Sequence, residues 1–132
     1  MQKEKKRSKE IDVINSKITD LALESILYEV VLSPKPGLVD AIDVGSHKDM
    51  DVYTFIKSAV SLKSGFEEYY SIGINHQGTP EELMKKARQV GMKSEDEMFK
   101  ATSKVNTHKG IVFSMGILLA AIGYYLSVIK DI

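Results

Sequence analysis

The sequence predicts an all-α protein: a compact bundle of about five helices, the last of them long and apolar. Three observations carry that expectation. Apolar residues recur at three- and four-residue steps through most of the chain, no segment alternates strictly as a half-buried strand does, and residues 111–129, "IVFSMGILLAAIGYYLSVI", carry no charge.

The first helix is expected on the periodicity of Ile11, Ile14, Ile18, Leu21 and Ser25, with Ala22, Ile26 and Val30 beside them. It should end near Leu32, because Pro34 disfavours helical geometry at Ser33 and has no N–H to donate. The polar stretch "SPKPGLVDAIDVGSHKDMD" follows. Asp49 or Asp51 can cap a second helix, along which Val52, Phe55, Ala59, Leu62, Phe66 and Tyr69 form one apolar seam. Asn75-His76-Gln77-Gly78 punctuates its end, and His76 reads as an exposed loop histidine. Thr79-Pro80-Glu81-Glu82 has the composition of a capping box with proline at the first helical position. The third helix is expected to be short, ending near Gly91. Ser94-Glu95-Asp96-Glu97 repeats the capping pattern for a fourth helix running toward Val105, and the fifth follows.

A chain of 132 residues supports one core. Residues 1–10, "MQKEKKRSKE", are expected to be a basic flexible tail, and 11–132 a single all-α domain. Eighteen basic and eighteen acidic side chains cancel, so no overall field draws in nucleic acid. The absence of cysteine removes disulfides, thiolate nucleophiles and thiolate-bound zinc, and suits a reducing cytoplasm. Residues 111–129 are long enough to cross a bilayer, but Ser114, Gly116, Gly123, Tyr124, Tyr125 and Ser127 lower their hydropathy. A buried central helix is therefore favoured over a membrane span. Gly116, Ala120 and Gly123 would let a neighbouring helix approach closely.

The polar residues gather in two loops. Lys35, Asp40, Asp43, Ser46, His47, Lys48, Asp49 and Asp51 lie between the first two helices; Asn106, Thr107, His108 and Lys109 precede the last. If the first helix runs up, the second down, and the third and fourth together return, both loops reach the same end. Both feed helix N-termini, which favour anions. Asp49 and Asp51 are hard oxygen ligands of the kind magnesium uses beside phosphates, Lys48 and Lys109 are point charges for phosphate oxygens, and His47 and His108 are proton-transfer groups. The plainer alternatives are a helix cap with a surface charge for Asp-x-Asp and a stiff connector for Pro34-Lys35-Pro36-Gly37.

Three motifs, Ser33-Pro-Lys-Pro-Gly-Leu-Val-Asp40, Gly45-Ser-His-Lys-Asp-Met-Asp51 and Val105-Asn-Thr-His-Lys-Gly110 followed by Ile111-Val-Phe-Ser-Met-Gly116, resemble the triphosphoribosyl-dephospho-CoA synthase family, of the CitG and MdcB type. The resemblance implies transfer of the triphosphoribosyl group of ATP to the 2′-hydroxyl of 3′-dephospho-CoA with release of adenine, a step toward the prosthetic group of citrate lyase or malonate decarboxylase. It assigns Asp49 and Asp51 to a magnesium-triphosphate complex and Lys35, Lys48 and Lys109 to phosphate oxygens. His47 is the implied base, with Asp40 as fallback. Asn106 and His108, with Thr107 between them, would orient ribose or adenine. Two departures stand out: Lys104 occupies a position where the family commonly has glycine, and family members continue well beyond residue 132. The alternatives are an inactive fragment or nucleotide-binding module, completed by a second chain or a homodimer covering 111–129, and a small membrane-anchored protein.

Overall fold

A computed structural model describes residues 1–32, 51–105 and 107–130. Lys35, Asp40, His47, Lys48, Asp49 and Asn106 lie outside the described residues. Five helices follow in order: α1 Gln2–Val31, α2 Val52–Ser61, α3 Lys63–Ile74, α4 Pro80–Ala101 and α5 Lys109–Lys130.

The bundle is all-α among the described residues, but two boundaries differ from expectation. The seam from Val52 to Tyr69 breaks at Leu62. Ser61 Oγ donates to the Ser58 carbonyl at 2.6 Å, while the Leu62 amide reaches back to Ala59 O at 3.1 Å. The side chain thus takes the acceptor that a continuous helix would give to Leu62, and α3 restarts with Phe66 N–H on Leu62 O at 2.9 Å. Conversely, the expected third and fourth helices are one. Gly91 is buried inside α4, where a Cβ would stand 2.5 Å from Tyr69 Oη and 2.7 Å from the Phe113 ring, so it admits two aromatic rings and ends nothing. Ser94 is buried too, its hydroxyl facing Gly65. The capping box at Thr79 forms as expected: Thr79 Oγ1 accepts from Glu82 N at 3.2 Å and Glu82 Oε2 from Thr79 N at 3.3 Å.

The helix α1 begins at Gln2, so the basic segment is helical, with every side chain of residues 1–10 exposed. Gln, Lys, Glu and Arg lose little rotamer freedom in a helix, which favours helix in this exposed segment. Farther along, Ala22, Ile26 and Val30 face the core, while Ile14 and Leu21 remain exposed.

α3 and α5 pack backbone to backbone. A Cβ on Gly73 would stand 2.1 Å from Ala120 O, and one on Gly123 would stand 2.5 Å from Tyr70 O. The small residues anticipated on α5 lie on this seam. Around it are buried Leu62, Phe66, Tyr69, Met98, Val112 and Leu119. Burial pushes the Tyr69 phenol up to about 12.

The expectation of a buried last helix needs correction. α5 buries Val112, Gly116, Leu119, Ala120 and Gly123, while Ile117, Leu118, Tyr125, Val128 and Ile129 are exposed. α3 and α4 cover one side of it. By length and composition, Lys109–Ile129 could also cross a membrane.

Candidate functional site

α4 has 22 residues, about 33 Å at helical rise, which matches the combined run of α2 and α3 and brings the chain back beside the start of α2. His108, immediately before α5, proves the return. Its ring meets Phe55 edge-on with centroids 5.0 Å apart, and its Nδ1 lies 2.7 Å from Ser58 Oγ. Glu29, in the last turn of α1, is close enough for its charge to act on the same imidazole. The end of α1, the first turns of α2 and the entry to α5 therefore meet.

A turn shaped by unusual backbone delivers His108. Ser103 and Lys104 have φ of 54° and 71°, in the left-handed region that favours glycine. Lys104 N–H reaches Phe99 O at 2.7 Å, the long-range bond of a Schellman-type helix end. The chain thus places lysine at a backbone position that favours glycine. Thr102, buried, holds the turn through a hydroxyl 2.6 Å from Val105 O and 3.0 Å from Met98 O. His108 N–H then points to Met98 Sδ at 3.3 Å.

The polar centre is a network of three side chains. Thr107 Oγ1 donates to Ser58 Oγ, and Ser58 Oγ bonds His108 Nδ1. Ser58 is fully buried and His108 is 3% exposed. His108 Nε2 is buried and has no partner among the described residues. Burial lowers the imidazole to about 4, against a small opposing pull from Glu29. His108 is accordingly neutral near pH 7, and suited to hydrogen bonding more than to carrying a proton as imidazolium.

Ser58 was not among the sequence candidates. Its one signal was a hydroxyl set within the apolar seam of Phe55, Ala59 and Leu62, a pattern that burial explains only when a polar partner arrives from elsewhere. His76, expected to be exposed, is buried at the opposite end, by the α3–α4 turn. Its Nε2 is 2.8 Å from Thr79 O and its Nδ1 3.4 Å from Lys86 Nζ. A carbonyl can only accept and an ammonium only donate, so His76 carries its proton on Nε2 and serves as a structural clamp.

Of the expected ligand set, Asp51 is the N-cap of α2. Its Oδ1 accepts from Thr54 N at 2.9 Å and Thr54 Oγ1 at 3.1 Å, and these bonds hold its carboxyl below the usual carboxylate range. The plainer alternative of a cap is realised, and the start of α2 already has its anion. The side chain is nevertheless exposed and ionised, which fits one hard-oxygen ligand for magnesium. No group of three or more metal-ligating side chains occurs among the described residues. Lys109 pairs with Glu95 at 3.3 Å and remains half exposed. The structure therefore brings Thr107 and His108 together with Ser58, and leaves Lys109 and Asp51 on nearby helix starts.

A cleft of about 580 Å³ between α1 and α3, lined by Asn15, Asp20, Lys63, Glu67 and Asn75 among others, contains none of these residues. Two polar pairs close within its lining, Tyr70 Oη with Asn15 Oδ1 at 2.5 Å and Asn75 Nδ2 with Ser71 O at 3.0 Å. The unpartnered imidazole nitrogen makes the His108 junction the stronger site.

Fold and site together define a helical-bundle protein with a buried hydroxyl–imidazole network where its polar loops enter. The family model for CitG, ATP:dephospho-CoA triphosphoribosyl transferase, matches residues 15–132, and the chain belongs to that family. It is 49% identical over 108 residues to a protein of Streptococcus mutans serotype c named "Probable 2-(5''-triphosphoribosyl)-3'-dephosphocoenzyme-A synthase". It is 50% identical over 111 residues to one of the same name from Streptococcus pyogenes serotype M49. These alignments cover 81% and 83% of this chain but 36% and 38% of the relatives, so the chain spans well under half the length of the curated relatives it matches. No solved structure matches it significantly.

Proposed function

We propose that this chain forms the nucleotide-binding end of a cytoplasmic triphosphoribosyl transferase that uses ATP and 3′-dephospho-CoA. In that reaction the bond from C1′ of the ATP ribose to adenine N9 breaks and a bond from C1′ to the acceptor 2′-oxygen forms. The hydroxyl proton leaves to a base and adenine departs with a proton. Such substitution passes through an oxocarbenium-like transition state, so it needs a held triphosphate, a base at the acceptor hydroxyl and a hydrogen-bond donor toward the leaving base. The observation that carries the proposal is the meeting of His108 and Thr107 with Ser58 at the junction of both loop entrances. A neutral imidazole there suits donation to the adenine or ribose of the nucleotide. His47, or Asp40, is the proposed base, and Lys35, Lys48 and Lys109 the phosphate contacts; Lys109 would exchange its Glu95 partner for a phosphate oxygen. Asn106 would orient the ribose or adenine. Magnesium, arriving with the triphosphate, would be met by Asp51 and Asp49 and would neutralise phosphate charge.

The test is adenine release from ATP, magnesium and 3′-dephospho-CoA. Asp49→Asn is expected to abolish turnover with helix content unchanged; full activity in that variant removes Asp49 from the metal role. A second reading is favoured by the exposed apolar side of α5, which could seat further polypeptide, whether from another chain or a second copy, in a module that binds nucleotide without turning it over. ATP binding without adenine release, together with a dimer mass in light scattering, would select it.

A further inference from the structure

Ser58 belongs to no motif that suggested the site, yet it is the residue on which His108 depends. Its hydroxyl has one proton, and among the described residues Thr107 and His108 lie within bonding distance of it. Thr107 donates to it, which leaves the Ser58 proton for His108 Nδ1 at 2.7 Å. A nitrogen that accepts is unprotonated, so the proton of the neutral ring sits on Nε2. That atom is buried and unmatched among the described residues. A buried N–H without an acceptor is destabilising, and an arriving acceptor removes that cost.

We infer that Ser58 is a positioning residue: the chain of donation from Thr107 through Ser58 to His108 fixes the imidazole as its Nε2–H tautomer and presents Nε2–H as a donor to a ligand acceptor, a ring nitrogen or an oxygen of a nucleotide. His108 thereby acts as a neutral donor and not as the base. The inference rests on the proposed function for the identity of the ligand, but the tautomer belongs to the free protein.

Phe55 supports the same geometry by closing the ring edge-on at 5.0 Å, so the imidazole has little freedom to flip. Lys109, next in sequence, is tied to Glu95 at 3.3 Å, which holds the first turn of α5 against α4.

Nitrogen-15 NMR of the histidine-labelled protein at neutral pH, without nucleotide, tests this directly. The expected spectrum for His108 has a protonated Nε2 and a bare, hydrogen-bonded Nδ1. Ser58→Ala should move the Nδ1 resonance toward that of an unbonded bare nitrogen, and Ser58→Thr should restore it; a loss of packing alone would not produce that pattern. Because Ser58 is fully buried, Thr107→Val gives a second perturbation from the solvent side of the network, expected to move the same resonance in a protein that keeps Ser58. A wild-type spectrum with the proton on Nδ1, or with both nitrogens protonated, overturns the inference whatever the variants do. Failure of adenine release would leave that spectrum unchanged.

Discussion

His108 makes the stability of the bundle depend on pH in a calculable way. Folding lowers its pKa from 6.5 to about 4, so between those values the unfolded chain binds more protons than the native one. Stability therefore rises with pH across that window: it is fully present above 6.5 and is lost as pH falls toward 4. For a folded value of about 4 and an unfolded value of 6.5, lowering the pH from 7.5 to 5 costs about 2 kcal/mol. With a urea slope of about 1–3 kcal/mol/M, the unfolding midpoint should drop by roughly 1 M. The assay is urea unfolding followed by circular dichroism at the two pH values, on the wild type and on His108→Gln. The variant retains His47 and His76, so the difference in slope isolates this one group. It is expected to be less stable at neutral pH but to lose about 2 kcal/mol less on acidification. Equal pH slopes in the two proteins would refute the assignment of a buried neutral imidazole.

Three further substitutions test how the site is held. Gly73→Ala places a methyl group 2.1 Å from the Ala120 carbonyl oxygen, a backbone atom that cannot rotate away. Thermal unfolding should show a loss of about 1–3 kcal/mol, whereas Gly110→Ala, with nothing within 4 Å of the new methyl, should be neutral or stabilising. Lys104→Gly relieves a φ of 71° and should stabilise by about 1 kcal/mol; an unchanged or lower melting temperature would contradict the strained turn.

Local chemistry was legible in the sequence where one segment contains all the partners. The capping box at Thr79 needs only residues 79–82, and the end of α1 near Leu32 needs only the neighbouring proline. Gly91 and Ser94 misled because glycine and serine punctuate helices and also allow close packing, and only the approach of Tyr69, Phe113 and Gly65 distinguishes the two uses. The break at Leu62 was hidden for a related reason, since Ser61 competes for a carbonyl without altering the apolar period. His76 and Ser58 were misjudged or missed because burial is tertiary: one is clamped by the α3–α4 turn, and the other acquires its meaning from a histidine fifty residues away. The convergence of the two loop entrances was legible from helix lengths alone, and it survived the fusion of two expected helices because their combined length was right.

A single pocket built from two loops is the central claim, and amide NMR during titration with magnesium-ATP tests it most directly. The expected result is that resonances from residues 34–51 and from 105–110 shift together along one saturation curve, while those around Asn15 and Asn75 stay still. Shifts confined to one loop, curves with different midpoints, or no response in either loop would contradict it.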